Sequence, residues 1–267
     1  MAHPDGGADV WGVKRHAPLA LLAGALVVAS LVGASKAANA GSRSCLADAA
    51  ATGGYTYAGH QATHRGHGVR ATISTVRMPE VAAGHVAGWV GVGGPGEGAN
   101  GENLWLQAGL GAMPGMGTFV YAEVVQAGRD PQFILIEEDV PVGASRRVAI
   151  LEMSRRPNHW RVWLNGKPAT KAFYLPGSSA RWAPIATAES WNGGEAACNS
   201  FAFRFERVSV SHGRGGSWFP FRPGHDFRDA GYRLRQLAAA PAPGQARVLA
   251  WGTADRPAPY AFFAASS

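Results

Sequence analysis

Three strand-like segments each carry one amide or carboxylate group among small and aromatic residues. They are LWLQAGL with Gln107, FVYAEVV with Glu123 and PIATAESW with Glu189. A buried polar group without a hydrogen-bond partner costs about 1–3 kcal/mol, so we expect each group to be paired or to serve a function. If the three strands lie side by side and face the same way, the groups meet on one concave surface. There a carboxylate can move a proton and an amide can hold a developing charge.

The alternation of side chains along a strand assigns a face to each of these residues. In each segment the polar residue shares its face with a second residue suited to a binding groove, the pairs being Trp105–Gln107, Tyr121–Glu123 and Thr187–Glu189. A structural role is the alternative, in which each glutamate faces water or pairs with an arginine such as Arg181 or Arg204.

The composition predicts that these segments belong to an all-β domain. Among 267 residues, 46% are hydrophobic and 16% are charged, and there are 36 glycines and 17 prolines. Such a chain is typical of many short strands joined by turns, and it excludes a helical bundle. We predict a two-sheet antiparallel sandwich over residues 55–267, with a tight hairpin turn at Asn165-Gly166. Only residues 226–240 fit an amphipathic helix, which Gly231 disfavours.

The N-terminus predicts export from the cytoplasm. Lys14 and Arg15 precede an uncharged apolar run at residues 17–35, and Ala38-Asn39-Ala40 follows as a small-x-small cleavage signal. We interpret residues 1–40 as a signal peptide and residues 41–54 as a linker. The alternative is an uncleaved transmembrane anchor with the domain outside the cell. In either case Cys45 and Cys198 lie where disulfides persist, so we expect one bridge between them rather than two free thiols.

Other motifs are assigned structural roles. His60, His64 and His67 would share a face only in a helix, which the glycines of GHQATHRGHG disfavour, so we predict an exposed hairpin tip and no metal. The glycines of WVGVGGPG match a dinucleotide-binding pattern, but no helix can begin in the following PGEGANGEN, and no cofactor is expected. The net charge of +7 is scattered, so nucleic acid is not an expected partner. We expect a monomer.

The order of the motifs resembles that of the glutamic peptidases, the eqolisins. WVGVGG at residues 89–94 and LQAG at residues 106–109 resemble the family's W-x-G-x-D-G and L-Q-x-G blocks. Glu123 in YAEVV resembles the glutamate of the W-Y-E-W block, and Glu189 with the following SWNGG resembles the catalytic glutamate. TYAGHQ and PAPYAFFAAS resemble the opening and closing segments. The likeness covers residues 55–265 and identifies the chain as a divergent, bacterial-type relative.

This resemblance implies a fold, an activity and a site. The fold is a concanavalin-like sandwich with a substrate groove across a curved sheet. Gln107 and Glu189 form the catalytic dyad: Glu189 takes a proton from water and passes it to the leaving amine, while the Gln107 amide stabilises the oxyanion. The groove is expected to include Trp89, Trp105, Tyr121, Glu123 and Thr187. An ordinary glutamate ionises near pH 4.3, so the resemblance implies a secreted endopeptidase that hydrolyses polypeptides in acid.

Two departures from the family pattern keep a second reading open. The aspartate of W-x-G-x-D-G is replaced by Gly93, and the tryptophan three residues before the catalytic glutamate is replaced by Ala186, with Trp182 nearby. The alternative is a non-catalytic concanavalin-like module that binds carbohydrate or peptide in an aromatic groove. A glycoside hydrolase that pairs Glu123 with Glu189 is a third hypothesis.

Overall fold

A computed structural model describes residues 54–192, 198–238 and 259–266. These residues form an all-β structure of two antiparallel sheets, and no helix occurs among them. Accordingly, this part of the chain holds no helical segment able to cross a membrane. The predicted leader and Cys45 lie outside the described residues, so the signal peptide, the anchor and the disulfide remain predictions.

The described strands are numbered in chain order. They are β1 (Tyr55–Ala62), β2 (Gly68–Thr75), β3 (His85–Gly94), β4 (Leu104–Ala112), β5 (Phe119–Val125), β6 (Gln132–Glu137), β7 (Arg146–Glu152), β8 (His159–Leu164), β9 (Lys167–Pro168), β10 (Phe173–Tyr174), β11 (Ile185–Trp191), β12 (Ala202–Ser211), β13 (Trp218–Pro220), β14 (Pro223–Arg228), β15 (Tyr232–Gln236) and β16 (Tyr260–Ser266). The first sheet has the order β14-β1-β11-β3-β4-β5-β6. The second has the order β10-β8-β7-β2-β12-β16-β15, with β13 on β12 and β9 on β8.

The core lies between the two sheets, and it confirms the predicted alternation. Leu104 and Leu106 of β4 are fully buried in it, as are Phe203 and Phe205 of β12 in the opposite sheet. Because side chains alternate along a strand, each residue between two core residues faces outward. The outer face of the first sheet therefore carries the polar residues of β4, β5 and β11.

The tight turn between β8 and β9 forms as predicted. Asn165 and Gly166 both have positive φ, at 51° and 85°. A two-residue hairpin turn of this hand matches the twist of the strands that it joins, and asparagine and glycine tolerate that backbone best. The side chain of Asn165 also accepts a hydrogen bond from the amide of Arg147.

The helix predicted near the C-terminus is wrong. The described part of residues 226–240 forms the end of β14, a turn and β15. Gly231 has a φ of 82° in this turn, a conformation that glycine adopts without steric cost and that interrupts a helix. The segments HDFR and YRLR alternate with a period of two, and each completes a different sheet: β14 pairs with β1, whereas β15 pairs with β16.

The predicted exposed histidine tip is only partly correct. His64 is exposed in the turn after β1, but His60 is buried on the core face of β1, with Nδ1 2.6 Å from Asp226 of β14. His67 is half-buried, and its Nδ1 lies 2.6 Å from the fully buried Glu152. His60 and His67 thus contact two different carboxylates, which the spacing along the chain does not reveal.

Candidate active site

A cleft of about 460 Å³ lies on the outer face of the first sheet. This volume is typical of pockets that bind small ligands or peptide side chains. Its lining residues include most of the predicted site. They are Tyr55, Tyr57, Trp89, Gly91, Val92, Gly93, Gly94, Pro95, Trp105, Leu106, Gln107, Glu123, Ile185, Thr187, Glu189 and Phe227.

Gln107 is buried in the middle of the cleft floor. In the sheet it stands opposite Gly91 of β3 on one side and Glu123 of β5 on the other. Its Nε2 donates a hydrogen bond to Oη of Tyr121 over 3.3 Å. Tyr121 is itself stacked on Phe133, with ring centroids 5.5 Å apart. The amide therefore has a partner in an aromatic cluster beside the cleft.

Glu189 is the most constrained acid of the cleft, with 3% of its surface exposed. Oε1 lies 3.0 Å from Nε2 of His85, and Oε2 accepts a hydrogen bond from Nε1 of Trp89 at 3.1 Å. Both partners come from β3, the strand next to β11. A nitrogen contact on each oxygen fixes the plane of the carboxylate.

The predicted arginine partners bind elsewhere. Arg181 donates to the carbonyl oxygens of Glu97 and Gly98. Arg204 forms an ion pair with Glu206 of the same strand. The structural alternative that paired the glutamates with these arginines is therefore wrong, and Glu189 is not exposed to water either.

The structure brings Gln107 and Glu189 to one cleft, but the two residues do not lie at the same cross-strand position. Residues that are paired across neighbouring strands form one row of the sheet. Glu189 pairs with Ala87 of β3, whereas Gln107 of β4 pairs with Gly91, four residues farther along that strand. The indole of Trp89 lies between the two rows: its Nε1 bonds Glu189, and its far edge covers Gly91, where an added Cβ would stand 2.7 Å from the ring. The amide and the carboxylate thus flank a tryptophan.

The remaining predicted groove residues surround this pair. Nε1 of Trp105 donates to Oε1 of Glu123 at 3.0 Å. Thr187 is fully buried opposite Trp89 in the sheet, and its hydroxyl donates to the carbonyl of Ala188. Thr187 consequently fills space below the indole, whereas Trp105 fixes the second acid.

Burial governs the ionisation of the cleft. It raises the pKa of the Glu123 carboxyl above its ordinary value, and the hydrogen bond from Trp105 opposes this effect. Burial, and after it the charge of Glu189, also raises the pKa of each phenol of Tyr55, Tyr57 and Tyr121, which keeps these groups neutral. None of the described residues that line the cleft is lysine or arginine. The cleft is therefore acidic and aromatic.

The first of the two departures from the family pattern, Gly93, has a steric explanation. Gly93 has a φ of 81°, and a Cβ at this position would stand 2.2 Å from the carbonyl oxygen of Leu104. An aspartate cannot stand there without a shift of the backbone. Ala186 faces the core, where Trp182 fills space against Trp160 and donates from Nε1 to the carbonyl of Glu97.

The sequence did not single out Tyr55, Tyr57 and Phe227, which line the cleft, or His85, which contacts Glu189. Period-two alternation in HVAGWV places His85 on the same face as Trp89, so the segment did contain a signal for it. The motif considered in this segment, WVGVGG, begins at Trp89, however, and therefore leaves out the histidine. Among the described residues, no group of three or more histidine, cysteine, aspartate or glutamate side chains could hold a metal ion.

The chain is similar in structure to glutamic peptidases. Scytalido-glutamic peptidase with a transition-state analogue inhibitor has a TM-score of 0.47 and 12% identity, and the match covers 79% of this chain and 97% of that one. The same enzyme with a peptide-based analogue has a TM-score of 0.44 and 15% identity over 69% and 94% of the two chains. SCP-B, an eqolisin in complex with the tripeptide Ala-Ile-His, has a TM-score of 0.41 and 14% identity over 80% and 98%. No family model and no curated protein matches the chain.

Proposed function

We propose that this chain is an exported, glutamic-peptidase-like endopeptidase with a concanavalin-like fold, in which Glu189 is the general base. One observation carries the proposal: a buried carboxylate in an open cleft has both oxygens bound by nitrogen donors, and it shares that cleft with the amide of Gln107. A carboxylate held in a fixed orientation beside a substrate cleft is suited to act as a general base toward water.

The proposed reaction uses water as the nucleophile. Glu189 takes one proton from water while the oxygen bonds to the scissile carbonyl carbon. The carbonyl oxygen becomes an oxyanion, to which the Gln107 amide donates its second N–H while the first stays on Tyr121. The C–N bond then breaks, and Glu189 returns the proton to the leaving nitrogen.

The charge and shape of the cleft favour a polypeptide over an anionic polysaccharide. Glu123 and Glu189 both line it, and no lysine or arginine does so among its described residues. A polyuronate would bring further negative charge to this face, whereas a neutral or basic peptide would not. The apolar rings of Tyr55, Tyr57 and Phe227 offer surfaces for the side chains of an extended chain.

The proposal includes an acidic working range and export through residues 1–40. Burial raises the pKa of Glu123, so this group becomes neutral as the pH falls, and the repulsion that it exerts on the charge of Glu189 then disappears. The leader KRHAPLALLAGALVVASLVGASKAANA supports export.

The direct test is hydrolysis of a denatured protein by purified residues 41–267, at pH values between about 3 and 7. We expect cleavage in acid, loss of cleavage in Glu189→Gln, and a fall of about 10²–10³-fold in kcat for Gln107→Ala. Glu206→Gln is the matched control, because Glu206 lies in the second sheet and pairs with Arg204. Equal rates for the wild type and Glu189→Gln contradict the proposal.

A non-catalytic module that binds carbohydrate or peptide is the second candidate. The aromatic lining of the cleft favours it, since rings of this kind stack on sugars as well as on peptide side chains. This candidate predicts no turnover at any pH, together with affinity for a glycan or peptide that is lost in Trp105→Ala.

A further inference from the structure

We propose that His85 is a positioning residue whose positive charge holds Glu189 as a carboxylate in acid and so sets the lower pH limit of the reaction. This inference rests on the proposed function. It adds a cationic partner to an acid for which the family resemblance supplied only an amide partner. The supporting contact is the distance of 3.0 Å between Nε2 of His85 and Oε1 of Glu189.

The position of His85 fits this role. It begins β3 and pairs across the sheet with Trp191, the last residue of β11. Its ring lies against Trp191, with centroids 5.5 Å apart, and against the edge of Tyr55 at 6.1 Å. These contacts orient Nε2 toward the carboxylate. The side chain of His85 is 23% exposed, against 4% for Glu189, so the imidazole can exchange protons with solvent.

His85 differs from the other titratable groups around Glu189 in the sign of the charge that it can carry. The titratable groups close enough to act on the Glu189 charge, or to share its surroundings, are Tyr55 and Tyr57 on β1, Tyr121 and Glu123 on β5, Tyr232 on β15 and Asp229 before β15. None of these groups can carry positive charge. His85, whose Nε2 lies 3.0 Å from Oε1 of Glu189, is in direct contact with this carboxylate and can carry a positive charge.

The chemistry follows from ordinary acid–base behaviour. Below about pH 6.5 an ordinary histidine is an imidazolium, and an opposite charge within about 4–6 Å favours the charged form of its neighbour. The imidazolium therefore opposes protonation of the Glu189 carboxylate as the pH falls. At higher pH a neutral His85 with its proton on Nε2 still donates the hydrogen bond, so orientation is kept while the charge is lost.

The test is the pH dependence of kcat for the wild type, His85→Gln and His85→Ala. Glutamine retains an N–H donor without the charge, so the acid limb of its profile should move up by about one pH unit or more, with KM nearly unchanged. His85→Ala removes both the N–H donor and the charge, so kcat should also fall at the pH optimum. His64→Gln in the exposed turn after β1 is the matched control and should keep the wild-type profile. A His85→Gln acid limb that coincides with that of the wild type overturns the inference.

A second measurement separates this inference from the proposed function. NMR titration of the His85 imidazole in the full domain needs no substrate. We expect the imidazolium to persist to higher pH in the wild type than in Glu189→Gln, even if no peptide is cleaved. Identical titration curves overturn the inference, whereas absence of cleavage together with different curves overturns only the proposed function.

Discussion

The indole nitrogen of Trp89 donates a hydrogen bond to Oε2 of Glu189 from the neighbouring strand, over 3.1 Å. The two residues are not direct cross-strand partners, because Trp89 stands opposite Thr187. Glu189 is the next residue after Thr187 on the same face of β11, so the indole reaches it diagonally across the two strands. This diagonal contact orients the acid from the side opposite His85.

Trp89→Phe should lower kcat about tenfold or more and leave KM nearly unchanged. Phenylalanine keeps much of the ring but removes the N–H, and a hydrogen bond to a charged group contributes about 1.5–3 kcal/mol. Steady-state kinetics on a fluorogenic peptide measure the effect. Trp218→Phe is the control, since Trp218 stacks with Arg70 in the second sheet. An unchanged kcat in Trp89→Phe shows that the indole does not orient the acid.

Tyr121→Phe should change kcat while preserving the fold. The phenol of Tyr121 accepts the hydrogen bond of the Gln107 amide at 3.3 Å, and its removal frees the amide to rotate. We expect kcat to fall about fivefold, which corresponds to about 1 kcal/mol, the typical net value of one hydrogen bond. Kinetics and a thermal melt of the same sample separate activity from stability. Phe203→Leu, a core variant, shows how much kcat falls when only stability is lost. The prediction fails if Tyr121→Phe lowers both the melting temperature and kcat in the same proportion as Phe203→Leu does.

Glu123→Gln should stabilise the domain near neutral pH and have little effect in acid. Burial raises the pKa of Glu123 in the folded state. A group with a raised pKa contributes stability below its unfolded pKa and loses that contribution as the pH rises through the folded value. Glutamine does not ionise, and its carbonyl can still accept the hydrogen bond from Trp105.

Thermal melts at about pH 4 and pH 7 measure this difference. The melting temperature of Glu123→Gln should exceed that of the wild type only at the higher pH. Glu206→Gln, in an exposed pair with Arg204, should show no such divergence. If the melting temperatures of Glu123→Gln and the wild type differ by the same amount at both pH values, ionisation of the buried Glu123 is not the cause.

Gly93→Asp, which restores the family aspartate, should destabilise the domain more than Gly96→Asp. Both glycines have positive φ, 81° and 74°, so both variants incur backbone strain of about 1–3 kcal/mol. A Cβ at position 93 would also stand 2.2 Å from the Leu104 carbonyl oxygen, whereas position 96 has nothing within 4 Å. Chemical denaturation gives the two free energies of unfolding, and equal values would show that the clash relaxes without cost.

Local periodicity predicted much of the fold. Alternation in LWLQAGL separated the core residues Leu104 and Leu106 from the outward-facing Gln107, and Asn165-Gly166 identified its turn. These features depend on residues that are close in the chain. The helix predicted at residues 226–240 failed because strand pairing with β1 and β16, two distant segments, decides that region.

The sequence predicted several residues that line the cleft, but not the contacts among them. Alternation along the strands placed Gln107 and Glu189 on the face of the sheet that points away from the core. Both residues line the cleft on that face. The partners of Glu189 depend on the register between β11 and β3, which no local pattern encodes. For this reason the sequence proposed arginines where the structure has a histidine and a tryptophan.

Gly91 has no side chain, and the space above its backbone is filled by the ring of Trp89. A methyl group at this position would stand 2.7 Å from the six-membered ring of Trp89 and 3.3 Å from Cβ of Gln107. The indole occupies that gap, and its other end holds the acid. A side chain at residue 91 would force the indole to shift, and we expect this shift to weaken the contact between its nitrogen and Glu189. The missing side chain at one end of the groove thus controls the orientation of a carboxylate at the other.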